Sequence, residues 1–216
     1  MFERFIRTKT GVNFRKGPGT QYASMGLLTK GTELQVLADA EGTWYKARLS
    51  NGTEGYISSK PEYVESFTPV WLAKAVALIE YANKYVGTPY VFGSDRRKDD
   101  SFDCSDFTQW CYLMTLGIDI PNDSRSQSVS GQAVPADLNT LRTGDLLFFD
   151  TNGDGIVNHV GFYVYPGLLL HTASTSGKSL NSDLSVHKAT GGGVTWAKFD
   201  ANNWHYKRMT GARRIL

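Results

Sequence analysis

The chain has 216 residues, 41% of them hydrophobic and 20% charged, a balance that excludes disordered, collagen-like and coiled-coil architectures. Lys and Arg number 23 against 21 Asp and Glu; residues 1–66 carry 9 basic and 7 acidic side chains, and the rest carry 14 of each. With no basic stripe to follow a phosphate backbone, nucleic acid is not expected as a partner, and no run of 18 apolar residues is present to span a membrane.

The opening Met-Phe-Glu-Arg-Phe-Ile-Arg lacks the basic stretch and apolar core of a signal peptide, so the expectation is either a cytoplasmic protein or one that has lost a leader. Residues 1–66 read as short strands cut by turn signals at 16–19, 30–31, 41–42 and 51–52. The runs Met25–Leu28, Glu33–Ala38, Trp44–Leu49 and Glu54–Ile57 are the expected strands, and Asn51-Gly52 between two of them predicts a hairpin. Strands at this spacing with no helix predict a small barrel. Phe14, Trp44 and Tyr56 are expected to fill its core.

Residues 67–72 are expected to link this barrel to a second domain, 73–216. Leu72, Val76, Ile79, Asn83 and Val86 have helical spacing, stopped by Gly87 and Pro89. A second helix is expected from Cys104 to Leu116, with Phe107, Trp110, Cys111 and Met114 on one face. Strand-like runs follow at Asp145–Phe149, Val157–Tyr165, Leu168–Ala173 and Tyr206–Ile215, and residues 174–193 read as a long loop. Helices first and antiparallel strands later predict an α+β domain.

The two cysteines, Cys104 and Cys111, are not expected to pair. Seven residues of helix rise about 10.5 Å, whereas a disulfide needs Cα atoms within roughly 7 Å. A cysteine in the first turn of a helix meets backbone N–H groups and the positive end of the dipole, which favours its thiolate. Cys104 has that place among the polar residues Asp103, Ser105 and Asp106, whereas Cys111 lies between Trp110 and Tyr112 as a buried, inert thiol. A thiol nucleophile needs a base and the base an orienter. His159 and His171 lie in adjacent strand-like runs around Pro166-Gly167, and a hairpin centred on Tyr165 sets them directly opposite on one face. A thiolate–imidazolium pair of this kind predicts a bell-shaped kcat/KM profile. His187 and His205 have no matching context and are read as surface or core-edge residues.

The run Val12-Asn13-Phe14-Arg15, Gly17-Pro18-Gly19-Thr20, Lys30-Gly31-Thr32, Trp44-Tyr45-Lys46 and Gly55-Tyr56-Ile57 resembles a bacterial SH3 domain over nearly all of residues 8–66. That resemblance implies a wall-targeting or substrate-contacting module. Downstream, the ordered set from Gly87 to Gly93, Phe102-Asp103-Cys104-Ser105, Gly144 to Phe149, Asn158-His159-Val160-Gly161 and His171 resembles the NlpC family of papain-like cell-wall cysteine peptidases. The resemblance implies Cys104 as nucleophile, His159 as base and later acid, His171 as orienter and Tyr90 at the oxyanion. It implies Asp103 and Ser105 as substrate contacts, with Asp103 directed toward a free amino end. Asp106 departs from the glycine common after Cys-Ser in the family, and either contacts substrate or caps the helix.

The expected activity is hydrolysis of peptidoglycan stem peptides at the γ-D-glutamyl–diamino acid bond, with no metal and no organic cofactor, by a monomer. A free L-Ala amine is the expected preference, with Tyr45, Glu54 and Tyr63 of the barrel as further contacts. The place of action is the cell wall if a leader was removed, and otherwise cytoplasmic recycling of murein peptides. Two alternatives stand beside this reading: a zinc hydrolase using the same Cys, His and His, and a wall-binding protein without catalysis. Asp150-Thr151-Asn152-Gly153-Asp154-Gly155 resembles half a calcium loop, but its twelfth position is Gly161 rather than a glutamate, so a Gly-rich acidic turn is the simpler reading.

Overall fold

A computed structural model describes residues 2–174, 178–180, 186–188 and 192–216. The chain divides into two compact units, Glu3–Leu72 on one side and Ala73–Leu216 with Phe2 on the other. The first unit is a seven-stranded antiparallel sheet of β1 (Arg4–Thr8), β2 (Val12–Arg15), β3 (Ser24–Leu28), β4 (Glu33–Ala40), β5 (Trp44–Arg48), β6 (Glu54–Ser58) and β7 (Val64–Phe67), in the order β3-β2-β6-β5-β4-β1-β7. Alternation along the strands sends Ile6, Val12, Phe14, Leu34, Val36, Ala47, Ile57 and Val64 into one core. The predicted hairpin joins β5 to β6, with Gly52 at φ +85 and Arg48 facing Glu54. Gly55 is needed where it stands, because a Cβ there would meet the Phe14 ring at 2.7 Å.

Two expectations for this unit change. Of the three aromatics assigned to the core, only Phe14 is buried; Trp44 and Tyr56 are half-buried, and Trp44 lines a surface groove of about 570 Å³ with Tyr22 and Tyr63. Strands β1 and β7 carried no alternation strong enough to read from sequence. They pair with each other, Ile6 facing Ser66, so neighbours distant in sequence define them.

The second unit contains α1 (Val70–Asn83), whose first turn lies before the unit boundary, α2 (Cys104–Leu116) and the short α3 (Ser124–Gln127). Strands β8 (Gln132–Val134), β9 (Leu146–Phe149), β10 (His159–Val164), β11 (Leu168–Ala173), β12 (Lys178–Leu180), β13 (Val186–Lys188), β14 (Gly193–Lys198) and β15 (Met209–Arg214) form one sheet, ordered β13-β12-β14-β11-β10-β9-β15-β8. The segment 67–72, expected as a linker, holds the end of β7 and the start of α1. Residues 174–193, expected as a loop, include β12 and β13; the side chain of His187 lies outside the described residues.

Successive residues of β9 serve two cores. Leu146 and Phe148 join Leu78, Ile79, Phe107, Cys111 and Tyr112 from α1 and α2, while Leu147 and Phe149 join Tyr163, Leu169 and Phe199 on the opposite face. A strand covered on both faces reads as a continuous apolar run, as Leu-Leu-Phe-Phe does. The buried stripe of α1 is Leu72, Ala75, Leu78, Ile79 and Ala82, turned from the expected one so that Val76 is half-buried and Val86 lies beyond the helix end. On α2, Met114 is 52% exposed and the buried face runs through Phe107, Thr108, Cys111 and Tyr112.

Asp145 at the start of β9 is 2% exposed and bonds Arg214 of β15 through both carboxylate oxygens, at 2.9 and 2.7 Å. Burial pushes its carboxyl up, and the Arg214 guanidinium opposes that. The Gly144-Asp145 pair is therefore structural: Gly144 O accepts the Tyr112 hydroxyl at 2.8 Å, which fastens α2 to the sheet. Removing one partner of a buried ion pair strands the other. Asp145→Ala is expected to lose about 3 kcal/mol of unfolding free energy, read as a lower urea midpoint at constant m value.

Candidate active site

Cys104 opens α2 and is 8% exposed. The N-cap is Asp103, in extended backbone, whose Oδ1 accepts the N–H groups of Ser105 at 3.0 Å and Asp106 at 2.8 Å. That bond pattern starts the helix at the cysteine and turns the first-turn N–H groups toward its side chain. The backbone N–H groups of Val160, Ser105 and Cys104 itself favour its thiolate. The Val160 contact sets the start of β10, and with it His159, against the start of α2. Both cysteines are free thiols, and Cys111 is fully buried with its pKa pushed well above the ordinary value by burial.

His159 and His171 are joined, Nε2 of the first to Nδ1 of the second, at 2.8 Å. The register differs from the expectation. Val164 faces Leu168 around the three-residue loop Tyr165–Gly167, so His171 lies opposite Gly161 and its contact with His159 is diagonal. A two-residue displacement keeps both side chains on one face, which is why the pair survives it. Gly161 makes room for this, since a Cβ there would lie 2.7 Å from that of His171. For Nδ1 of His159 to take a proton from the thiol, its Nε2 must carry the hydrogen that bonds His171.

Electrostatics differ from the expectation more sharply. Burial first, and then the Asp103 carboxylate, push the Cys104 thiol up to about 11, outweighing the N–H groups that pull it down. Burial lowers His159 to about 3 and His171 well below the usual imidazole range, each with a further contribution from neighbouring histidines. The resting site therefore holds a neutral thiol beside neutral imidazoles, because an ion pair here would have to exist without solvation.

His205, read from the sequence as a surface or core-edge residue, is half-buried beside this pair. Its ring meets His171 edge to face with centroids 4.8 Å apart and contacts Phe149 at 5.8 Å. Its Nδ1 is buried without a hydrogen-bond partner, and burial lowers its pKa to about 4. It lies in the irregular turn before β15, outside any strand, so no periodicity marked it. Gln127 was also missed: its amide donates to Ser105 O at 2.9 Å and accepts from Thr108 at 2.9 Å, bracing the first turn of α2 from α3.

Tyr90, half-buried beside Phe102, is pushed up by burial and then by the charges of Cys104 and Asp103, so its phenol is within electrostatic reach of Cys104. Ser105 Oγ lies 2.9 Å from Asp103 Oδ1 and 3.3 Å from Asn122 O. Asp106 is buried, takes a short hydrogen bond from Ser94 and does not cap the helix; burial raises its pKa. Arg96 reaches from the preceding segment to Asp103 Oδ2 at 3.4 Å, Ser105 Oγ at 3.3 Å and Gln109 Oε1 at 3.2 Å. In the barrel, Glu54 is engaged by Lys46 at 2.9 Å and Arg48 at 2.6 Å rather than free. In the turn after β9, Asp150 accepts Gly153 N and Gly155 N, both at 2.7 Å, and these N–H groups lower its pKa. The zinc alternative finds no support: His159 and His171 spend their facing nitrogens on each other, and among the described residues no three His, Cys, Asp or Glu side chains group to hold a metal ion.

Comparison with known proteins bears on this arrangement. Residues 87–214 match the NlpC/P60 family and residues 10–63 match a bacterial SH3 domain. A γ-D-glutamyl-L-lysine dipeptidyl-peptidase of Bacillus subtilis is 35% identical over 135 residues, 58% of this chain and 44% of that protein. One of the same description from Bacillus cereus is 34% identical over 143 residues, 65% of this chain and 41% of that protein. The chain thus spans less than half the length of these two relatives. A crystal structure of an NlpC/P60 family protein from Bacillus cereus aligns over 99% of this chain and 64% of its own, with a TM-score of 0.51 and 27% identity.

A neutral resting pair has a distinct pH signature. The base form of His159 persists into acid because its pKa is depressed, and the thiol keeps its proton into alkali because its pKa is raised. The kcat/KM of this site is expected to stay level from about pH 5.5 to about pH 9, measured by initial rates in constant ionic strength, rather than to form a bell with limbs near the ordinary values of roughly 6.5 and 8.5.

Proposed function

The chain belongs to the NlpC/P60 family, and on that premise we propose that it is a cysteine peptidase that hydrolyses peptidoglycan stem peptides at the γ-D-glutamyl–diamino acid bond. The observation that carries this reading is Cys104 at the capped start of α2, beside the strand whose His159 is hydrogen-bonded to His171. Its substrate locates its work where murein peptides occur, in the wall or in the pool recycled from it. Among the described residues no helix is long and apolar enough to cross a membrane. All site residues come from one chain, so a monomer suffices.

In the proposed mechanism, Nδ1 of His159 accepts the Cys104 proton as sulfur attacks the amide carbon of the D-glutamyl side chain. His171 holds the imidazole in the required tautomer and shares the positive charge that forms. The developing oxyanion takes hydrogen bonds from the first-turn N–H of α2 and the Tyr90 hydroxyl. The intermediate collapses as His159 gives its proton to the leaving amine, which leaves a γ-glutamyl thioester on Cys104. Water, with its proton taken by His159, then releases the acid and restores the thiol.

The test is mass spectrometry of defined stem peptides after digestion. Cleavage between D-glutamate and the diamino acid is expected from the parent protein. Cys104→Ala is expected to lower kcat/KM by at least 1,000-fold with an unchanged circular dichroism spectrum, while Cys111→Ser keeps activity within about threefold. Parent-level cleavage by Cys104→Ala, or inhibition by a chelator but not by a thiol alkylator, contradicts the proposal.

A further inference from the structure

Asp103 and Ser105 flank Cys104 in the chain, and on the proposed peptidase reading they form the rim that the acyl part of the substrate meets. That rim is occupied by a cation of the chain itself. The Arg96 guanidinium sits between Asp103 Oδ2 and Ser105 Oγ, at 3.4 and 3.3 Å, and its other terminal nitrogen lies 3.2 Å from Gln109 Oε1 and 3.8 Å from Asp106 Oδ1. Four groups of α2 and its cap thus converge on one side chain, whose own exposure is 29%. Asp103 has little left to offer: Oδ1 serves Ser105 and Asp106, and Oδ2 serves the Gly93 N–H as well as Arg96.

The segment that carries Arg96 is itself anchored. Ser94 Oγ accepts the Asp103 N–H at 2.9 Å and donates to Asp106, so the chain enters this segment tied to both acids. The backbone of Ser94 also bonds Val91 O at 3.2 Å. Arg96 is therefore delivered to the rim by a fixed backbone. Displacing it would leave Asp103 and buried Asp106 facing each other without a counterion.

We propose that Arg96 is a specificity-determining residue that fills the acidic rim beside Cys104, so that the site accepts stem peptides whose amino-terminal nitrogen is acylated and uncharged. This rests on the proposed peptidase activity and reverses the free-amine preference expected from the family resemblance. An α-ammonium approaching Asp103 meets a guanidinium already hydrogen-bonded there, and like charges at this distance repel. An amide nitrogen or an anionic group meets no such opposition, and the guanidinium has donors to offer it. The side of the cleft that receives the L-Ala end is thereby selective for neutral or negative groups.

Two readouts test this. The first is kcat/KM for a pair of stem peptides that differ only in acetylation of the L-Ala amine. The parent protein is expected to favour the acetylated peptide at least tenfold, Arg96→Lys to do the same, and Arg96→Gln to shift the preference at least tenfold toward the free amine. The second needs no peptidase activity: modification of Cys104 by methanethiosulfonates carrying an ammonium or a sulfonate head, in a Cys111→Ser background. Arg96→Gln is expected to raise the ammonium-to-sulfonate rate ratio at least tenfold. A ratio that Arg96→Gln leaves unchanged overturns the inference, as does a parent protein that cleaves the free-amine peptide as fast as the acetylated one or faster. A shifted ratio with no stem peptide cleaved by any of the three proteins overturns the proposed function and leaves the place of Arg96 supported.

Discussion

The carboxylate of Asp103 is the constraint on which the site depends. One oxygen closes the first turn of α2, which makes Cys104 the opening helical residue and turns backbone N–H groups toward its sulfur. A cap of this kind contributes about 1 kcal/mol to the helix, but here it also sets the geometry and the charge around Cys104. The same carboxylate opposes ionisation of the thiol and holds Arg96 through its other oxygen. Gln127 and Ser94 brace that turn from α3 and from the preceding segment. Any change at Asp103 therefore acts on helix start, thiol protonation and rim charge together.

The sheet supplies the second half of the site by the same economy of position. β10 is covered on both faces, and its first residue, half-buried, is His159. Its neighbour β11 is displaced by two residues from direct opposition, and Gly161 opens the space that lets His171 lean back to His159. Burial then keeps all three imidazoles neutral at ordinary pH, His205 among them. A site built this way stores no resting ion pair. In the proposed mechanism, charge appears only when a substrate carbonyl is present to receive the sulfur's electrons, which is where prearranged N–H groups act most strongly.

Much of this was legible in the residues. The polar setting of Cys104 against the apolar setting of Cys111 separated the two thiols, and the structure keeps them free and apart. Asn51-Gly52 and the Leu146–Phe149 run named their own elements because turn chemistry and two-sided burial are local signals. What escaped depended on tertiary neighbours. The protonation of Cys104 follows from burial that no local pattern reports, and it reverses the tendency of the helix start. His205 lies 34 residues from His171 in sequence, in a turn that only the folding of β15 onto β9 brings to the cluster. Arg96 is marked by no local pattern, because its reach to Asp103 and Asp106 exists only once the segment that carries it folds back onto the start of α2.

The protonation state of Cys104 links the site to the proposed mechanism, and it is measurable without substrate. The second-order rate of Cys104 alkylation by iodoacetamide, followed in a Cys111→Ser background as pH is raised, reports the thiolate fraction directly. A buried thiol with its pKa raised to about 11 predicts a rate that climbs close to tenfold per pH unit from neutrality through pH 10. A rate already at its plateau by pH 6 would mean a resting thiolate–imidazolium pair, and would contradict the account of the site given by its burial and by Asp103.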